Sequence, residues 1–190
     1  MNIIKSIIFL SLTLLISSCD DNTYPRPRGE MRLEYPDATY SKYHSDELKM
    51  SFEKSDFATV EKKSDNWINL NYPKMKSKLH LSYFEVNNNV ENLISDVQKL
   101  TDEHKIKASG IIPHSYINNN EKVYGVVYEI IGNSASNIQF YATDSTKHLI
   151  SGSLYFRARP NADSLNPAVQ YLKKDVFALL ETIKWDNNTK

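Results

Sequence analysis

Three runs decide the fold: Val123-Tyr124-Gly125-Val126-Val127-Tyr128-Glu129-Ile130-Ile131, Ile138-Gln139-Phe140-Tyr141-Ala142, and His148-Leu149-Ile150-Ser151-Gly152-Ser153-Leu154-Tyr155-Phe156. Each is rich in β-branched and aromatic residues, which suit a pleated, half-buried surface. Gly132-Asn133 breaks the first run, and Thr143-Asp144-Ser145-Thr146 ends the second. Consecutive strands joined by short polar loops make an antiparallel meander. Upstream, Gly110-Ile111-Ile112 has strand character, and Pro113 marks an edge or a strand end because it cannot donate to a ladder. Asn118-Asn119-Asn120 is a turn.

Further upstream, Asn66 to Tyr72 alternates, with Ile68, Leu70 and Tyr72 on one face and asparagines opposite. Lys78 to Tyr83 repeats the pattern after the short polar link Pro73 to Ser77, so the pair reads as a half-buried hairpin. Met50-Ser51-Phe52 alternates too, after a polar stretch from Asp37 to Lys49. Leu33 and Tyr35 lie on one side of a short extended run that stops at Pro36. Two segments change period. Val90, Leu93, Ile94, Val97 and Leu100 form one helical stripe, capped by Asn87 to Asn89 and ending near Lys105 to Lys107. Val169, Leu172, Val176, Leu179, Leu180 and Ile183 form a second, with Asn166 as its expected cap, Pro167 at its first position and Trp185 closing the domain. The expected class is α+β: a single domain with an antiparallel sheet flanked by two main helices.

Composition limits what such a domain does. The 190 residues carry 23 basic and 23 acidic side chains, which excludes a strongly basic nucleic-acid binder. Twelve tyrosines and seven phenylalanines against five glycines agree with a sheet-rich core. The one cysteine, Cys19, leaves no intrachain disulfide to make. It follows Ile16-Ser17-Ser18, and before that runs an apolar stretch from Ile7 with a single lysine, Lys5, ahead of it. That stretch is about half the roughly 20 residues a membrane-spanning helix needs, and it suits a signal peptide. Small residues immediately before cysteine match the bacterial lipobox, in which the thiol takes a diacylglycerol group. Residues 1–18 are the expected signal peptide, 19–30 the lipidated cysteine and tether, and 31–190 the domain. Asp20 to Gly29 contains Pro25 and Pro27, which favour an extended chain reaching about 30 Å from the lipid. Two or more acyl chains hold a protein stably to a bilayer.

Candidate chemistry is thin. Of five histidines, none stands at helical i, i+4 spacing from another. A zinc site needs three or four converging ligands, which sequence does not display here. Asp144-Ser145-Thr146-Lys147-His148 has triad residue types, but at turn spacing. The expectation is therefore no enzyme, no cofactor and no metal. A small-molecule or metal site built from His104, His114, His148 or Asp144 is the alternative. Tyr124, Tyr128, Tyr141 and Tyr155 either form an exposed binding row or pack beneath the helices.

Several blocks carry a family resemblance. They are Arg32-Leu33-Glu34-Tyr35-Pro36, Trp67-Ile68-Asn69-Leu70-Asn71-Tyr72-Pro73, Gln98-Lys99-Leu100-Thr101-Asp102-Glu103-His104, and the stretch from Gly132 through Phe140-Tyr141-Ala142-Thr143-Asp144-Ser145-Thr146-Lys147-His148 to Phe156. Together with the lipobox they resemble the gliding-motility lipoprotein GldD family of the Bacteroidetes. The resemblance implies a cell-envelope lipoprotein required for gliding, an accessory of the machinery shared with type IX secretion. It implies partners among the envelope proteins of that machinery, a membrane contact through the anchor at Cys19, and a periplasm-facing domain. It transfers no catalytic residue. Some relatives carry cysteines at the positions of Leu48 and Asn66, which implies that these two residues sit close together on neighbouring strands. The order of elements also looks like the Mog1/PsbP-like topology, an analogy that implies no ligand.

Overall fold

Alternation along Trp67–Tyr72 places Ile68, Leu70 and Tyr72 on one face of a strand, and all three are buried. The structure, a computed structural model, describes residues 35–158 and 161–186. Cys19, the expected signal peptide and the tether lie outside the described residues. Among the described residues, ten strands form two antiparallel sheets. Seven make the large one, in the order β3 (Thr59–Ser64), β4 (Trp67–Tyr72), β5 (Ser77–Glu85), β9 (His148–Phe156), β8 (Ser136–Thr143), β7 (Val123–Gly132), β6 (Ala108–Asn118). The expected hairpin is β4–β5, with Ile68 opposite Leu81 and Leu70 opposite Leu79. The expected meander is β7–β8–β9. At the end of β7, Gly132 takes a φ of 116°, which lets the chain turn toward β8.

The small sheet was not expected. β1 (Tyr40–Ser45) and the two-residue β10 (Lys184–Trp185) flank β2 (Met50–Ser55). The stretch from Asp37 to Lys49 thus contains a strand, and Tyr35, by contrast, is not in one.

The two helices lie on opposite faces of the large sheet. α2 (Ala162–Thr182) and the small sheet cover one face, with Phe52, Leu70, Leu81, Phe140, Leu172 and Leu179 in one core. α1 (Val90–Asp102) covers part of the other, where Leu93, Ile94 and Val97 meet Phe84, Tyr141 and Leu149. β8 lies between both layers and is buried at every residue. The expected α+β class is therefore observed, as one domain with a helix on each side of the sheet.

Three local expectations change. Leu100 departs from the α1 stripe and is exposed, and a 3₁₀ turn, Glu103–Ile106, follows the helix. Asn89 occupies the N-cap of α1, but its side chain accepts from the Asn87 amide instead of from the helix. α2 starts at Ala162, not at Pro167. Asn161 accepts from the Ser164 amide, and Asn133 of the β7–β8 turn accepts from the Ala162 amide. These caps satisfy the first turn, and Pro167 is carried inside the helix at the loss of one backbone bond. Pro113 does lie on an edge strand, but β6 runs straight through it.

Leu48 and Asn66 are not on strands. Leu48 is buried in the β1–β2 turn of the small sheet, whereas Asn66 is in the β3–β4 turn of the large one. Leu48 belongs to the apolar core, and Asn66 bonds the Ser64 hydroxyl and the Tyr83 carbonyl.

Candidate functional site

The two faces of the large sheet are covered unequally. Side-chain alternation and register put Trp67, Asn69 and Asn71 of β4, His80 of β5 and Tyr155 of β9 on the same face as α1. α1 packs over β7, β8, β9 and the Phe84 end of β5, and none of those five residues belongs to its cluster. Among the described residues no helix covers the face over β3, β4 and β5.

Three aromatic rings cross this open face from strand to strand. Trp67 and His80 have centroids 5.9 Å apart, and His80 meets Tyr155 edge-on at 5.2 Å. Trp67 is 38% exposed, enough for one flank of the indole to meet a partner. Its ring N–H donates to Asn69 Oδ1 at 3.1 Å, which fixes the ring's tilt. Asn69 is buried, and its amide donates in turn to Glu61 Oε2. Asn71 and Lys78 donate to the same oxygen, and Lys63 pairs with the other. The Lys63 ammonium and the two asparagine amides hold the Glu61 carboxyl well below the usual carboxylate range. Burial pushes the His80 imidazole below its ordinary value, and Lys78 pushes it further. The ring is accordingly neutral at neutral pH. The arrangement is a preorganised aromatic surface bordered by an ionic network whose polar atoms are committed to one another. Such a surface suits contact more than proton transfer.

The four groups of the alternative site do not converge. His104, in the 3₁₀ turn after α1, has Nδ1 2.9 Å from the Ser134 hydroxyl. His114 lies on the α2 face, with Nε2 3.4 Å from Glu129. His148 is buried at the other end of the sheet, stacked on Trp185 at 5.3 Å and 2.9 Å from the Tyr83 hydroxyl. Among the described residues no three of His, Cys, Asp and Glu gather so as to hold a metal ion.

Asp144 acts as a turn residue. Its Oδ1 accepts the backbone N–H groups of Thr146, Lys147 and His148 at 2.8–2.9 Å, and its Oδ2 accepts the Thr146 hydroxyl. Burial raises the carboxyl's pKa, but these donors outweigh it and hold the group below 3.8. A carboxyl depressed on folding adds stability that is complete above about pH 4 and is lost as pH falls through the lowered value. Asp144→Ala is expected to cost about 2–3 kcal/mol at pH 7. Asp144→Asn, which keeps an acceptor, should cost less and should flatten the acid limb of a urea-unfolding series run from pH 6 to pH 2.

The tyrosines divide between the two expectations. Tyr141 is buried beneath α1, and Tyr128 packs there too, its hydroxyl accepting from Gln98. Only Tyr155 of the four joins the ring row. Trp67 and His80 were missed as site residues. The signal for Trp67 was its odd-numbered parity with the asparagines, which set it opposite the buried Ile68.

The family model described as gliding motility lipoprotein GldD matches residues 20–185. The chain belongs to that family. A GldD-family lipoprotein is anchored to a membrane of the cell envelope, and the match covers every described residue but the last, Asp186. No curated protein matches the chain. Among the described residues no helix is long and apolar enough to cross a membrane.

Proposed function

We propose that this GldD-family chain is a non-enzymatic docking component of the gliding apparatus and its type IX secretion machinery. A lipid on Cys19 holds it to the membrane, facing the periplasm, and the open sheet face receives a partner protein. The observation that carries this reading is the Trp67–His80–Tyr155 row left uncovered by α1. Aromatic side chains bury large area at small entropic cost and dominate the energetics of protein interfaces. The fixed Glu61 network gives the surface a polar border of the kind that surrounds such anchors.

Two experiments test it. A photocrosslinking residue placed at His80 in living cells is expected to give one discrete adduct with an envelope protein of the apparatus. The same residue at Glu181, on exposed α2 surface, is expected to give none. Equal labelling from both positions would remove the docking face. Cys19→Ala is expected to release the chain from membranes and abolish gliding while the domain stays folded by circular dichroism. Full gliding by the released chain would remove the anchor from the mechanism.

A further inference from the structure

We propose that one pole of the large sheet is the membrane-contacting end of the domain, with Ile106 as its inserted tip and the anchoring bilayer as its occupant. This rests on the lipid anchor of the proposed function and adds an orientation to it.

Among the described residues, the exposed large apolar side chains include Leu100, Ile106, Ile112 and Ile131. Leu100 and Ile106 lie on the α1 side of one pole, in the last turns of α1 and in the 3₁₀ turn after it, whereas Ile112 and Ile131 lie on the α2 face of β6 and β7. α1 ends and β7 ends at this pole, and β6 begins. Ala108 pairs with Gly132, Gly110 with Ile131 and Ile112 with Glu129. The bond between His104 and Ser134 ties the 3₁₀ turn to the β7–β8 turn, so Ile106, two residues on, is held at this pole. Ile106 is 89% exposed, Leu100 55% and Ile131 44%. An isoleucine that open, at the tip of a tight turn and followed by exposed Lys107, matches an apolar wedge with a cation at headgroup height.

The entry of the chain says what covers this pole. Pro36 lines a small crevice together with Phe57, Tyr72, Lys74 and Met75, and Tyr171 donates to its carbonyl. Tyr72 ends β4, and Lys74 and Met75 belong to the β4–β5 connection. In the register Ser77 pairs with Phe156, Tyr155 with Ser136, and the β7–β8 turn leads back to Gly132 and Ala108. The β4–β5 connection, the β7–β8 turn and the start of β6 are therefore at the same pole. The described chain thus begins at the same pole as Ile106. Residues 20–34 span at most about 50 Å, which keeps that pole within constant reach of the anchoring bilayer. Tethering turns a weak surface contact into an intramolecular one at high effective concentration. With this pole down, the strands stand upright on the membrane and the Trp67–His80–Tyr155 row faces sideways, open to a neighbour in the same envelope layer.

The test uses the mature lipidated chain, purified from membranes, mass-checked for its lipid and reconstituted in phosphatidylethanolamine–phosphatidylglycerol vesicles. Once the Cys19 sulfur carries its diacylglycerol group, Ile106→Cys supplies the only free thiol. A polarity-sensitive fluorophore there is expected to shift to the blue and to be quenched severalfold more by shallow nitroxide lipids than the same label at Asp65→Cys. Asp65 is exposed in the β3–β4 turn at the opposite pole. Equal water exposure at the two positions on vesicles would overturn the proposal while leaving the anchor intact. Shielding of position 106 only after envelope proteins are added would overturn it in favour of a protein contact. A mass without lipid would instead remove the anchor reading itself.

Discussion

Phe140→Ala is expected to lower the unfolding free energy by about 3–5 kcal/mol in a urea titration, enough to remove a large part of the stability of a domain this size. Phe140 is fully buried in the middle of β8, the strand enclosed on both faces. Its partner across the ladder is Gly152 of β9. A Cβ built on Gly152 would collide with Cε1 and Cζ of the Phe140 ring. The missing side chain of one residue is thus the space filled by the other. Gly152→Ala alone should therefore cost about 1–3 kcal/mol through overpacking. In a Phe140→Ala background the same change should be close to neutral, since the ring it strikes is gone. Residues that share a cavity couple in this way, and strict additivity of the two single changes would show that the ring and the glycine do not share their space.

That pair also shows what a linear reading can and cannot reach. The β7–β8–β9 runs declare themselves as strands, because Val, Ile, Leu, Tyr and Phe dominate each of them. Nothing in the order of residues says that Gly152 lies under Phe140, since the contact depends on register. The edges were the least legible. β1 contains Tyr40, Ser41, Lys42, Tyr43, His44 and Ser45, with its apolar groups three apart and no alternation. β3 contains Thr59 followed by charged Glu61, Lys62 and Lys63. Both are strands because β2 and β4 offer them unpaired backbone, a tertiary cause with little local trace. Asn166-Pro167 looked like a helix start because proline is favoured at the first position. The competing signal, Asn161 two residues before Asp163, was present but weaker. Half of the candidate site was readable: alternation alone puts Trp67 and the asparagines on the face opposite Ile68. The other half was not, because the length of sheet that α1 leaves bare depends on where the helix lands. The exposed Leu100 belongs to the same uncertainty, since a regular stripe does not reveal that the sheet beneath its last turn runs out.

Trp67→Ala should separate binding from folding. The indole is part-exposed and makes one side-chain hydrogen bond, to Asn69. Its removal should cost the fold only about 1 kcal/mol. At an interface centred on this row, loss of a tryptophan anchor should weaken the complex by at least about 2 kcal/mol, or roughly 30-fold in affinity. The measurement is a titration of the lipidated chain against the partner identified by crosslinking from position 80, alongside the urea midpoint of the same variant. Trp67→Phe should recover part of the affinity, because a smaller ring can still lie across Asn69 and His80. Ile117→Ala is the control. Ile117 is 68% exposed near the far end of the edge strand β6, opposite Tyr124, and the intervening strands separate it from the ring row. Truncating it should leave affinity unchanged. If Trp67→Ala and Ile117→Ala weakened the complex equally, the loss would reflect a general change of surface and the open face over β3, β4 and β5 would not be where the partner sits. If Trp67→Ala lowered affinity only in proportion to a collapse of the urea midpoint, the indole would be holding the Asn69–Glu61 network together, not meeting a partner. The expected result is a large change in affinity with a nearly unchanged midpoint, which only a side chain whose main contact lies outside its own domain can produce.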